Sequence, residues 1–460
     1  MWGALPVFRD SMARRLILAF LLVLLIAATL FVAFSWRTEI APVEPPPRAS
    51  FDSALMTRGA ALAAMGDCIA CHTAAGGKAY AGGYPLKTPF GTIHGTNITP
   101  DPETGIGRWS EAAFSRALRE GVDRRGRHLY PAFPYDHFTL LSDEDVKALY
   151  AFMMTREPVR AETPANDVAF PLNVRMLVAG WKLLFFDGRA YRTEAAQDND
   201  WNRGAYLVQG LGHCGACHTP RNAFGAEKKR EYLAGGDAEG WHAPAINTAT
   251  RAPVPWTAET LFRYLRQGAS ETSEAAAGPM AAVVHNLGAA PEQDVRAIAT
   301  YLASVMGPVN ADRAERGEKA LALARAASPA ADFEATTGAP RSGSDATIQA
   351  GSVIYGATCA LCHGSAQRAP GSPSADALHL SLSTSVSLPG PGNLIRIILQ
   401  GMAPPDGERG PFMPGFSGAL TDEQVGAVVT YLRAAYTDRP AWPNVEREVR
   451  SAKQRLAKGE

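Results

Sequence analysis

One five-residue pattern, repeated three times, constrains this chain more than any other feature: Cys68-Ile-Ala-Cys71-His72, Cys214-Gly-Ala-Cys217-His218 and Cys359-Ala-Leu-Cys362-His363. The chain has six cysteines, and these motifs use all of them. A zinc ribbon needs its second cysteine pair close by, or two histidines at finger spacing, whereas here the pairs stand in different thirds of the chain. A thioredoxin-like centre accounts for one Cys-x-x-Cys but not for a histidine after each, and its βαβ context is missing. Covalent attachment of heme c accounts for all three copies: both thiols add to the vinyl groups, and the adjacent His72, His218 or His363 becomes the proximal iron ligand.

A chain of 460 residues has room for about three domains, one for each motif. Each motif follows a helical segment that contains a glycine: "RGAALAAMGDC" from Arg58, "RGAYLVQGLGHC" from Arg203 and "AGSVIYGATC" from Ala350. Downstream of each comes a second helical signature: "DVKALYAFM" from Asp145, "DVRAIATYL" from Asp294 and "QVGAVVTYL" from Gln424. Stacked, these align Val146 with Val295 and Val425, and Phe152 with Tyr301 and Tyr431. Acidic residues just upstream suit helix N-termini. The spacing predicts a mostly α chain in which helix, motif, loop and helix recur three times, over 53–160, 196–307 and 346–438. Trp109 and Trp256 occupy comparable loops and either face a heme or fill the core.

Leu16 to Trp36 carries no charge and, at a rise of about 1.5 Å per residue, matches a bilayer core of about 30 Å. The rival reading is a cleaved leader, but the apolar run is long for one and no small-x-small site follows. Residues 16–36 are therefore expected to be an uncleaved transmembrane anchor. Arg9, Arg14 and Arg15 precede it and Arg37 follows, so 1–15 is expected in the cytoplasm and the rest across the bacterial inner membrane, in the periplasm. Residues 37–52 form a proline-rich spacer. Residues 161–195 form a linker whose "PLNVRMLVAGWKLLFF" is an inter-domain helix, or else an interfacial or partner-docking one. Residues 308–345 read as an alanine-rich helix followed by a Pro/Gly/Ser linker, and 439–460 as a charged tail. Lys+Arg and Asp+Glu both number 45, a balance that offers no nucleic-acid surface.

A low-spin electron-transfer heme needs a second axial ligand, often a methionine from the loop ahead of the last helix. Met280 in "AAGPMAAVV" and Met413 in "GPFMPGF" take that place in the second and third units. The first unit has Phe133 there, in "LYPAFPYDHF", and phenylalanine cannot ligate iron. Met153 stacks with Leu302 and Leu432 and belongs to the helix core. His137 is the leading candidate for the first unit, against a plain surface histidine or an open iron.

With these motifs in place, the chain resembles the triheme cytochrome c subunits of bacterial membrane-bound periplasmic dehydrogenases of the alcohol, gluconate, aldehyde and nicotinate types. "TNITPDPETGIG", "YPAFPY", "AYLVQGLGHCGACHTPRNAFGAEK", "NLIRIILQGM" and "FMPGF" carry the likeness, over about Ser53 to Tyr436. The resemblance implies three tandem class I cytochrome c-like domains behind one N-terminal transmembrane helix. It also implies three covalent hemes c, with Met280 and Met413 as distal ligands. The implied role is non-catalytic: electrons pass from a dehydrogenase catalytic subunit of molybdenum, quinone-cofactor or flavin type to membrane quinone or a terminal oxidase. The alternatives are a free-standing membrane cytochrome feeding an oxidase, or a heme enzyme acting at an open first heme.

Overall fold

The computed structural model describes residues 8–325, 343–363, 379–403 and 412–457. The Pro/Gly/Ser half of the 308–345 linker lies outside them, as do residues 1–7 and 458–460.

Three helix crossings organise the molecule. The leading helices Ser53–Met65, Asn199–Gln209 and Gly343–Thr358 cross the closing helices Asp143–Met154, Glu292–Met306 and Asp422–Tyr436. Sequence dictates where they cross. A methyl built on Gly59 would sit 2.0 Å from the carbonyl oxygen of Ala148, on Gly204 2.0 Å from that of Ala297, and on Gly351 2.1 Å from that of Ala427. Only glycine lets two backbones approach this closely. The aromatic residues aligned by sequence, Phe152, Tyr301 and Tyr431, present their Cβ atoms to the same three glycines.

The acidic runs sit where sequence puts them, at the closing helices' N-termini. Ser142 Oγ caps the first by accepting from Asp145 N, and Thr421 forms a capping box with Gln424 in the third. Two short antiparallel hairpins, Pro85–Thr88 with Gly91–His94 and Gly236–Ala238 with Trp241–Ala243, follow the first and second motifs. Runs this short carry no usable alternation, so sequence reads them as loop.

The first two units share one continuous core that runs from Leu62 and Phe152 through Tyr206 and Leu207 to Tyr301 and Met306. The third has its own core around Tyr355, Ile395 and Tyr431. Part of the expected charged tail joins it: the helix Val445–Ala457 buries Val445, Val449 and Ala452, one stripe at helical spacing. The alanine-rich linker forms the helix Ala311–Arg325.

The helix Phe8–Ser35 is long and apolar enough to cross a membrane: within Met12–Ser35 its most apolar stretch has a mean hydropathy of 3.1, and none of that stretch is buried. The proline-rich stretch after it lies along the first unit: Ile40 N donates to Arg124 O at 2.9 Å and Val43 N to Arg108 O at 3.1 Å.

Candidate functional site

Each motif folds as a single helical turn, closed by the same bond. His72 N donates to Cys68 O at 3.2 Å, His218 N to Cys214 O at 2.9 Å and His363 N to Cys359 O at 2.9 Å. One turn puts residues i and i+3 on the same side, so both thiols of a motif face one way with the histidine at the end. All six cysteines are free of disulfides. Burial pushes the thiols of Cys68, Cys71 and Cys214 up to about 12, which holds them as thiols.

The histidines are braced alike in the first two units. His72 Nδ1 donates to the carbonyl of Thr96 at 2.7 Å, and His218 Nδ1 to that of Pro244 at 2.7 Å. Among the described residues neither Nε2 makes a hydrogen bond. Burial lowers both pKa values, so each ring is neutral with a lone pair on Nε2, beside two thiols. This donor set fits heme c: a carbonyl behind the proximal histidine fixes its tautomer and ring plane, and Nε2 is left for iron. Thr96 and Pro244 escaped sequence reasoning because a backbone carbonyl has no residue-type signature.

His137 gives the opposite picture and corrects the sequence expectation. Its Nε2 donates to Glu227 Oε1 at 2.7 Å and its Nδ1 to the carbonyl of Gln209 at 2.7 Å. Burial alone would lower its pKa, but the hydrogen bond and charge of Glu227, with Asp136 close by, reverse that and raise it to about 9. The ring is therefore an imidazolium with no lone pair to offer iron. It also packs against Gly215 inside the second motif, so it lies at the seam between the first two units. Spacing within its own loop could not reveal a partner as distant as Glu227.

Met280 lies in the first turn of the helix Pro279–Ala289 and packs, half-buried, on the same core as Cys214. Met413 is half-buried on the core that Cys359 touches. Its backbone is pinned to Met402 by two reciprocal bonds of 2.8 and 2.9 Å. Phe133 packs edge-on against Phe138 with ring centroids 5.4 Å apart. Met153 is 2% exposed, inside the core as its repeat position requires. Trp109 and Trp256 both pack on the shared core.

The first two motifs lie side by side. Asp67, just before the first motif, and Glu239, from the hairpin after the second, act electrostatically on both Cys71 and Cys217. The Gly236–Ala243 hairpin joins all three units. Tyr84 Oη donates to Glu239 Oε2 at 2.9 Å on one side; on the other, Asn393 exchanges two bonds of 2.8 and 2.9 Å with the backbone of His242.

Comparison with known proteins places this geometry. Residues 56–157 match the family model described as cytochrome c, and residues 346–432 the one described as cytochrome c oxidase, cbb3-type, subunit III. The chain is 46% identical over 418 residues to a nicotinate dehydrogenase subunit of Pseudomonas putida, covering 90% of this chain but 33% of that protein, so it spans about a third of that relative. It is 39% identical over 413 residues to the fructose dehydrogenase cytochrome subunit of Gluconobacter japonicus, covering 87% of this chain and 83% of that one. The gluconate 2-dehydrogenase cytochrome c subunit of Pantoea cypripedii is 37% identical over 408 residues, at 84% and 86% coverage. Cytochrome c domains carry heme c.

Proposed function

This chain belongs to the family of dehydrogenase cytochrome c subunits, and on that premise we propose that it is a membrane-anchored triheme electron relay. The six motif cysteines hold three hemes c by thioether bonds, with His72, His218 and His363 as proximal ligands and Met280 and Met413 as distal ones. Heme c supplies a one-electron centre. The chain supplies its position: the Thr96 and Pro244 carbonyls orient the histidines, the glycine crossings fix each motif on rigid helices, and the shared core holds the first two motifs together. Electrons come from the catalytic subunit of a dehydrogenase, of molybdenum, quinone-cofactor or flavin type, and leave for membrane quinone or a terminal oxidase. Arg9, Arg14 and Arg15 ahead of the apolar helix support an inner-membrane anchor with the heme units in the periplasm.

One observation carries this reading: the same turn, with two thiols and a histidine on a glycine-crossed helix pair, occurs three times. The test is to purify the chain from membranes in mild detergent, count hemes per chain and identify what stays bound. Three hemes and a stoichiometric dehydrogenase subunit whose substrate reduces them are expected. A chain recovered alone, reduced by no dehydrogenase, would overturn the relay.

A second reading concerns the first unit alone. Phe133 stands where the other units have methionine, and both ring nitrogens of His137 are committed. With His72 as its one protein ligand from this unit, the first heme would be high-spin and open to a small oxidant. One high-spin heme in three is expected in the ferric optical spectrum, converting to low-spin in Phe133→Met. A fully low-spin spectrum in the unsubstituted protein removes this reading and leaves the relay intact.

A further inference from the structure

The segment Phe170–Phe186 is built inside out. In the helix Val178–Phe185 the charged residue faces the protein and the leucines face outward. Lys182 is 9% exposed, whereas Leu183 and Leu184 are 67% and 71% exposed. Lys182 Nζ donates to the carbonyls of Glu120 and Gly121, the latter at 2.7 Å, and to His128 Nδ1 at 3.1 Å. The other charge in the segment, Arg175, is also tied down: it donates to His128 O at 3.0 Å and stacks over the Tyr130 ring at 4.2 Å. What the segment presents outward is Phe170, Leu172, Leu177, Leu183 and Leu184, with no free charge among them. Single exposed apolar side chains are ordinary, but a contiguous apolar face rimmed by polar residues marks a contact surface.

The anchor says what that surface meets. From Met12 to Phe34 every residue is exposed except Phe31. A methyl built on Gly180 would lie 3.5 Å from the Phe31 ring, so the helix Val178–Phe185 touches the anchor at that residue. Phe31 is one turn inside the anchor's last residue, Ser35, a depth of about 6 Å at a rise of about 1.5 Å per residue. Helices that lie in a membrane interface bury their apolar face about 5 to 10 Å into the headgroup and acyl boundary. The junction is also stiff: His128 Nε2 donates to Ser35 O at 2.8 Å, and Arg116 Nη1 to Thr38 O at 2.8 Å.

We infer that Phe170–Phe186 is a second, non-spanning membrane contact, its apolar face set among the lipid headgroups and upper acyl chains of the leaflet where the anchor emerges. The inference rests on reading Phe8–Ser35 as a membrane anchor. The two contacts together fix the tilt of the first unit, so the heme units present a constant face to the membrane instead of swinging on a tether.

The test uses the full heme-loaded chain in phosphatidylethanolamine–phosphatidylglycerol vesicles, with a nitroxide on a single added cysteine: Leu184→Cys, Leu22→Cys in mid-anchor, or Lys319→Cys as an aqueous reference. Accessibility to oxygen is compared with accessibility to a water-soluble nickel chelate. The expected result is loss of nickel accessibility at 184 as well as at 22, while 319 keeps it. In Leu183→Glu, read with the label at Leu177→Cys, nickel accessibility returns. A label at 184 that stays open to nickel while 22 is shielded overturns the inference and leaves the anchor standing. Nickel access at 22 overturns both. Shielding at 184 that appears only when the dehydrogenase partner is added, or only at high protein density, assigns the face to that partner or to a second copy and also overturns it.

Discussion

The first two units and the third use the same crossing, yet they are held in different ways. In the first two, the residue before the crossing glycine is arginine and pairs with an aspartate in the first turn of the closing helix: Arg58 with Asp145 at 2.7 Å and Arg203 with Asp294 at 2.7 Å. In the third, Ala350 and Gln424 take both positions, so arginine and aspartate are absent together. The first two units are also fused. Asp145, 1% exposed, accepts from Tyr206 Oη of the second unit at 2.7 Å, and one core runs through both. The third attaches through polar bonds, such as Ser385 N and Oγ to Glu274 Oε1 at 3.2 and 3.1 Å, and a small cluster of Val254, Ala320, Ala324 and Leu382. Polar, modest interfaces of that kind are typical of domains that can move relative to one another. The difference separates what the heme unit needs, a glycine crossing, from what docking adds, an ion pair at the seam.

The largest expected effect comes from filling the crossing. Gly351→Ala and Gly204→Ala each force a methyl onto a carbonyl oxygen and should cost more than about 4 kcal/mol, in the range of severe core disruption. Hydrogen exchange read peptide by peptide should find Gly351→Ala loosening only the third unit, while Gly204→Ala loosens the leading and closing helices of both the first and second. Damage confined to the second unit would mean that the shared core is two cores in contact.

Sequence alone carried the three motifs and the six helices, because each is a local pattern repeated in register, and it showed a glycine in each leading helix without showing that the helices cross there. Residues that work through the backbone or across the chain were hidden. Thr96 and Pro244 are equivalent in space, each two residues before an isoleucine, Ile98 or Ile246, that packs on the shared core, yet they share no side-chain chemistry. His137 looked like a ligand because only its loop was visible, while its partner Glu227 comes from the second unit. The docking of Val445–Ala457 was obscured by its charges, although Val445, Val449 and Ala452 already trace one face.

A smaller effect probes the seam itself. Asp145→Ala leaves Tyr206 Oη and Arg58 without their shared carboxylate and should cost about 3 kcal/mol, the scale of losing charged hydrogen bonds at a buried acceptor. Gln424→Ala, at the matching place in the third unit, removes only half of a capping box and should cost about 1 kcal/mol. Chemical denaturation of the heme-loaded chain checks both. Equal losses would show that the ion pair serves the unit and not the seam.

The smallest effect is set by pH at the same seam. His137 is raised from 6.5 to about 9 in the folded chain, against the pull of burial, by Glu227 and Asp136. A histidine raised on folding contributes stability that is complete below its unfolded pKa and is lost as pH rises through the folded one. The seam should therefore hold fully below about pH 6.5 and weaken progressively up to and beyond about pH 9, with the third unit unchanged. Up to about pH 8 the loss should reach roughly 2 kcal/mol, below that of Asp145→Ala, and a neutral His137 can still donate one proton, to Glu227 or to Gln209. Hydrogen exchange at Asn199–Gln209 and Asp422–Tyr436 across this window, with rates corrected for their intrinsic pH dependence, compares the two regions directly. Glu227→Gln should flatten the response at Asn199–Gln209, and a response that survives it would place the titrating group elsewhere.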